Sequence, residues 1–275
     1  MNNKKIFLVV SISWTIIWWV IAWSRINPFS SDSFFPLWLG FIFTINSISE
    51  YFYNTSLIRD LKLRFLWLFI ISLPFWWGYE WLNSAFLHDW FYPVKSLTQY
   101  YSDIIKASLD FSTVIPAVSS VIYLAFKIWP KWKPHYKKTK SLTTSQVVEI
   151  EALAILTLFL LLYLPHEFFA LAWITPLLII DPINYKLGTP SVIGLINQEN
   201  LKPILLIALA GLFTGFWWEM WNYLSSPKWH YVVPYFGFYK IFEMPILGYL
   251  GYLPFGLLTW SYTQLLRGYK KKTFN

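Results

Sequence analysis

Runs of about twenty apolar residues recur along the whole chain, and no other feature restricts its fold as tightly. In hydrocarbon no water reaches the backbone N–H and C=O groups, so a run of this length must bond them internally, as a helix does. Eight runs are predicted to span a membrane: residues 6–23, 35–53, 65–86, 103–129, 149–164, 168–180, 203–224 and 239–266. Asn27-Pro28 with the serines that follow, Pro165 and Asp181-Pro182 mark breaks between them. The expected fold is an all-α, polytopic transmembrane helical bundle, in keeping with 56% hydrophobic and only 13% charged residues. The chain has no cysteine, which excludes disulfides and thiolate chemistry.

A net charge of +8 would suggest nucleic acid as the partner of a soluble protein, but its distribution argues against that partner here. Lys and Arg gather at the amino terminus, at 59–64, in the strongly basic segment 127–140 and at the carboxyl terminus. Basic segments beside apolar runs are held on the cytoplasmic side and near anionic headgroups. Four such segments on one side require an even number of crossings, so 149–180 is expected to pass twice. Both termini are then cytoplasmic, and the expected location is the bacterial inner membrane. Lys4 and Lys5 precede the first run, and no small-residue cleavage site follows before Arg25, so that run reads as a retained anchor.

The chemistry is expected where acids enter these runs. A charge at membrane depth costs at least ~2.5–3.5 kcal/mol, so it faces a protein interior or a wet cavity and marks a candidate site. The stretch 211–260 carries Glu219 and Glu243 among aromatic residues, including Trp217 and Trp218. Part of it has an echo at an offset of 139 residues: positions 66–92 repeat at 205–231 with six identities in 27 aligned positions. Glu80, Asn83, Trp90 and Tyr92 thereby correspond to Glu219, Asn222, Trp229 and Tyr231. Glu and Asn three residues apart share a helical face. The echo predicts two parallel four-span repeats, residues 1–129 and 149–275, joined by a basic linker at 130–148, with a site between them. Asp110 in the first half is expected to play the part of Glu243 in the second.

In that site Glu219 is expected to donate a proton, with Glu243 as its partner and Asn222 as an orienting hydrogen bond. Glu80 and Asp110 are the further acids, and Asn83, Trp90, Tyr92, Trp217, Trp218, Trp229, Tyr231 and His230 line the ligand. A carboxyl shielded from water is suited to carry and deliver a proton, and aromatic rings stabilise positive charge. The plainer reading of Glu80 and Glu219 is a helix-end carboxylate reaching interfacial water. His88, His166, His230 and Glu167 are suitable metal ligands by type, but the His-Glu-x-x-His spacing is absent, and neither metal nor cofactor is expected. Walker, dinucleotide and Gly-x-Ser-x-Gly motifs are also absent.

The strings Trp218-Glu219, Pro227-Lys228-Trp229 and Phe242-Glu243-Met244-Pro245, continuing through Gly248-Tyr249, resemble the signature of a group of uncharacterised bacterial polytopic membrane proteins. That likeness spans 217–256. More distantly, the order of features resembles the membrane lycopene cyclase domain and the carotenoid hydratases, in which an acid, an aromatic loop and an acid beside Pro follow one another. This second resemblance implies that Glu219 and Glu243 are proton-donating or cation-stabilising acids. The chain departs from the cyclase pattern after Glu243, where Met244-Pro245 stands in place of paired acids. The expected function is binding of an isoprenoid, carotenoid or other apolar lipid, with its transformation by acid catalysis. The alternatives are proton-coupled transport of a small solute and a non-catalytic membrane scaffold.

Overall fold

A computed structural model describes residues 3–93, 97–134 and 142–273, with backbone alone at 97–102 and 267–273. His135 and the rest of the basic linker at 135–141 lie outside the described residues, as do the side chains of Arg267 and Lys270–Lys272. The protein is all-α. Among the described residues six helical segments are long and apolar enough to cross a membrane: Asn3–Trp23, Leu57–Leu87, Asp103–Ile128, Thr144–Tyr163, Pro165–Leu187 and Leu201–Tyr223. Two compact units divide the chain, Met1–Ile128 with Thr214–Ile246, and Trp129–Phe213 with Leu247–Asn275. The first unit thus draws the stretch 214–246 out of the second half of the sequence.

In the first unit α1 (Asn3–Trp23) and α2 (Phe34–Tyr53) pack antiparallel. Where lipid is as apolar as the helices themselves, association draws on close approach and interhelical hydrogen bonds. Both are present, in Ser11–Ser47 at 2.8 Å and Thr15–Thr44 at 3.0 Å, and at Gly40, where an added Cβ would lie 2.7 Å from Thr15. A short α3 (Leu57–Leu61), capped by the Ser56 side chain, leads into α4 (Leu66–Leu82) and a π turn, Asn83–Leu87. After β1 (Trp90–Phe91) come α5 (Leu97–Ser112) and α6 (Val114–Ile128). Ser72 of α4 bridges the break between them, donating to the Phe111 carbonyl and accepting from Ile115 N–H at 3.1 Å. Three basic segments meet at one end of this unit. Lys4 reaches Asn54 and Glu50, Arg59 pairs with Glu50 at 2.8 Å, and Tyr123, beneath Lys127, donates to Asp60 at 2.6 Å. The unit is completed by three short strands, β2 (His230–Tyr231), β3 (Lys240–Ile241) and β4 (Met244–Pro245).

In the second unit α7 (Thr144–Tyr163) opens with a capping box between Thr143 and Gln146. It ends one residue before α8 (Pro165–Phe168), where proline suits a first helical turn and interrupts a continuing one. The chain therefore breaks within 149–180 at the expected proline. From within α9 (Thr175–Leu187) the buried Asp181 caps α10 (Val192–Asn197), accepting from Val192 and Ile193 N–H at 2.8 and 2.7 Å and from Ser261 at 2.8 Å. The carboxylate stands at the positive end of the short helix, which makes it a structural group. Within this unit the first part of α11 (Leu201–Tyr223) crosses α12 (Tyr252–Thr273) at Gly211 and Gly256.

One expectation needs correction. The run 239–266 does not begin as a helix: 240–245 is a hairpin, a 3-10 turn follows at Ile246–Gly251, and α12 starts at Tyr252. Phe242 has φ +59°, and Met244 precedes a proline, which disfavours the helical region for it.

Candidate functional site

The two echoing motifs are built in the same way, from the asparagine outward. An Asn side chain carries one acceptor and one donor and can bond a backbone as a neighbouring strand would. The buried Asn83 accepts from Asp89 and Trp90 N–H at 2.8 and 3.2 Å and donates to the Trp90 carbonyl at 2.7 Å. Asn222 clamps Trp229 likewise, accepting from its N–H and donating to its carbonyl, both at 3.0 Å. Each clamp folds the loop after a long helix back over that helix end.

The two loops then pair with each other. β1 and β2 run antiparallel in the register Trp90↔Tyr231 and Phe91↔His230, and Val232 N–H donates to the Asp89 carbonyl at 2.8 Å. Phe91 and His230 occupy equivalent places in the two motifs, so the ladder pairs each motif with its own counterpart. Successive strand residues point to opposite faces. Trp90, Tyr92, Trp229 and Tyr231 therefore share one face of the ribbon, and Phe91 and His230 the other, with their rings stacked at 5.4 Å.

The four-ring face meets the glutamates. Glu80 accepts from the Trp76 indole N–H at 2.9 Å, the Tyr92 hydroxyl at 2.9 Å and the Trp90 indole at 3.2 Å. Among the described residues no cation is paired with it. Glu219, 0% exposed, accepts from the Tyr231 hydroxyl at 2.7 Å, whose oxygen accepts from the Trp229 indole at 2.8 Å. An indole N–H can only donate, so the direction of each chain is set: neutral donors point at carboxylate oxygens. Burial, then the charge of the neighbouring Glu219, raise the Tyr231 phenol well above its usual range, which keeps it a donor. Glu80 is half-buried and Tyr92 is 37% exposed, so the first glutamate is open toward the surface, whereas Glu219 is sealed although Trp229 and Tyr231 beside it are only half-buried.

The other residues singled out from the sequence fall in several places. Trp218 stacks on Trp76 at 5.0 Å and joins Trp38, Phe34 and Trp229 in the aromatic wall. Trp217 instead packs against Trp19 and Phe41 of the first helix pair. Asp110 accepts from Phe35 N–H in the first turn of α2, where Ser33 offers no side-chain cap, and its charge acts on Tyr92. Glu243 sits at the hairpin turn in an ion pair with Lys228. His230 lies on the ribbon face turned from the glutamates, His88 is exposed beside the π turn, and His166 is exposed beside Glu167 in the other unit. Among the described residues no group of three or more His, Asp or Glu is placed to hold a metal ion.

Sequence reasoning passed over Trp76, although it lies one helical turn before Glu80, a spacing that puts both on one face. It also passed over Asp89, whose place in the aromatic loop 87–93 reads as interfacial and gives no sign of burial. Asp89 is 7% exposed, and its Oδ1 is buried without a hydrogen-bond partner among the described residues. Burial pushes the carboxyl up to about 7. A raised carboxyl pKa means the folded state prefers the protonated form. Stability is therefore lost as pH rises from about 4, the unfolded value, through about 7. Asp89→Asn is expected to remove that slope and to be the more stable protein at pH 8, as read by thermal midpoints in detergent from pH 5 to 8. Parallel curves for the two proteins would refute it.

Comparison of the chain with protein-family models, with curated proteins and with solved structures finds no match.

Proposed function

We propose that the paired glutamates and the rings around them bind an isoprenoid, carotenoid or similar apolar lipid within the bilayer and transform it by acid catalysis. The observation that carries this reading is that two carboxylates, each held by neutral donors, meet one aromatic ribbon face within a bundle of membrane-length helices. In the proposed step a protonated glutamate gives its proton to an alkene carbon, and the π electrons of that bond form the new C–H bond. The adjacent carbon becomes cationic, facing indole and phenol rings that favour positive charge. Loss of a proton from a neighbouring carbon to the second glutamate completes an isomerisation without redox change; in a cyclisation the π electrons of a second alkene first attack the cationic carbon to form the ring C–C bond, and the proton is then lost from beside the new cation. The donors on each glutamate stabilise the carboxylate left when its proton departs, which lowers the barrier to donation.

In this reading Glu219 is the donor, Glu80 its counterpart on the open side, and Asn83 and Asn222 position the rings. Asp110 and Glu243 contribute through Tyr92 and Lys228. The proposal includes eight crossings in two parallel four-span repeats, both termini cytoplasmic, in a bacterial inner membrane. It is supported by the meeting of three basic segments at one end of the first unit and by the self-equivalent register of the ribbon. At ~1.5 Å per residue, the 20-residue α2 is also long enough to cross.

Glu219→Gln and Glu80→Gln are expected to abolish turnover of a polyene or quinone that co-purifies with the protein, identified by mass spectrometry of its lipid extract, while insertion and yield are kept. Unchanged turnover in either variant would reject its role. The complete burial of Glu219 in a membrane-length helix also suits proton-coupled transport. Proton-driven uptake of a chemically unchanged solute into proteoliposomes would decide for that reading.

A further inference from the structure

The segment that follows β2 exposes far more apolar surface than a water-facing loop carries: Val232, Tyr235, Phe236, Phe238, Tyr239 and Ile241 are all open, Tyr239 to 81%. Its hairpin does not project away from the helices. Phe242, at the turn between β3 and β4, lies against Phe216 at 5.6 Å and Tyr223 at 5.7 Å between ring centres. Phe216 is two helical turns before the end of α11, so the hairpin reaches back roughly 10 Å along the helix. Both rings it touches are themselves exposed on a helix of membrane length, so the hairpin lies on the side of α11 that faces lipid.

The chemistry of the segment suits that place. Ladder pairs Lys240↔Pro245 and Ile241↔Met244, with Ile246 N–H donating to the Tyr239 carbonyl at 2.9 Å, satisfy much of its backbone internally, as a bilayer requires. Glu243 is neutralised by Lys228. Tyrosines with polar tips, and an exposed Lys240 without an ion pair among the described residues, match the level of anionic headgroups. We propose that the hairpin at 235–246 is seated in the headgroup–acyl boundary of one leaflet, as a re-entrant element lying against the last two turns of α11. Glu219 belongs to those same turns, so the hairpin sets the lipid boundary at the depth of the buried carboxylate.

Because the chain has no cysteine, Phe238→Cys and Tyr239→Cys each give a single labelling site in the full protein. With a polarity-sensitive fluorophore, in vesicles of phosphatidylcholine and phosphatidylglycerol, both labels are expected to emit at short wavelength. Shallow acyl-chain nitroxides should quench them several-fold more than deep ones, and iodide only weakly. A label on Lys131→Cys should show the reverse preference for iodide. Iodide quenching at 238 and 239 equal to that at 131 would overturn the proposal. So would protection from both iodide and lipid nitroxides, which would place a protein partner or a second copy over the hairpin. The unmodified chain supplies a second measure: a phospholipid with a diazirine near its headgroup is expected to crosslink within 235–246, and absence of that crosslink would count against the assignment.

Discussion

A methyl group at Gly211 is expected to cost the folded protein about 3 kcal/mol, the upper end of the usual penalty for overpacking. An added Cβ would lie 2.4 Å from the Tyr252 carbonyl oxygen and 2.6 Å from the Gly256 Cα. Both are backbone atoms of α12, so no side-chain rotation relieves the clash and the helices have to separate. Separation forfeits the close approach on which helix pairs in lipid depend. Gly256→Ala meets the same obstacle from the other side, with its Cβ 2.6 Å from the Ile207 carbonyl oxygen. Once the helices have moved apart for one methyl, the second adds less, so the double variant is expected to fall short of the sum. Gly78 in α4 is the control: an added Cβ there meets nothing within 4 Å, and Gly78→Ala should be neutral or stabilising. Thermal midpoints in detergent, followed by loss of monodispersity, test the set. A Gly211→Ala protein as stable as its parent would refute the close crossing.

Asn222→Leu is expected to release the ribbon. The substitution keeps the branched heavy-atom skeleton but leaves the N–H and C=O of Trp229 without the amide that bonds both. Unmade hydrogen bonds of this kind cost about 1–3 kcal/mol each when buried; because Trp229 is half-buried, about 2–3 kcal/mol is expected for the pair. The effect should be local. Backbone amides at 228–232 are expected to exchange rapidly with deuterium, and those at 89–91 to follow because the strands pair, while α7 and α9 stay protected. Asn222→Asp keeps the acceptor and loses the donor, and should fall between. Asn83→Leu should give the mirror-image result, with 89–91 leading. Unchanged protection of both strands in Asn222→Leu would mean that the clamp does not hold the ribbon.

The parts of this protein legible in its sequence are those set by neighbours along the chain. Span-length runs and their breaks at Asn27-Pro28 and Pro165 follow from local hydrophobicity and from proline's missing N–H. The clamp was legible only as spacing: Glu, Asn, Trp and Tyr recur at identical intervals because the same turn is made twice. The ribbon itself was hidden, since two residues per strand are too few for an alternation to register. The hairpin carrying Glu243 was misread as helix because its hydrophobicity suits a bilayer, while the turn is decided by Phe242 and by the proline after Met244. Asp89 and Trp76 were missed for different reasons. Asp89 stands where a strand from far along the chain pairs, its carbonyl accepting from Val232 N–H, and Trp76 reads as one more ring in an aromatic run.

By itself, then, the sequence determined that the chain forms apolar helices, where most of them end, and that two places in it share a design. Only the tertiary structure decided that these two places pair in register, that one glutamate is sealed while the other stays half open, and that His230 and Glu243 face elsewhere. The division has a physical cause. Helix formation in an apolar run closes its hydrogen bonds within four residues, whereas register, burial and donor geometry depend on which distant segment arrives alongside.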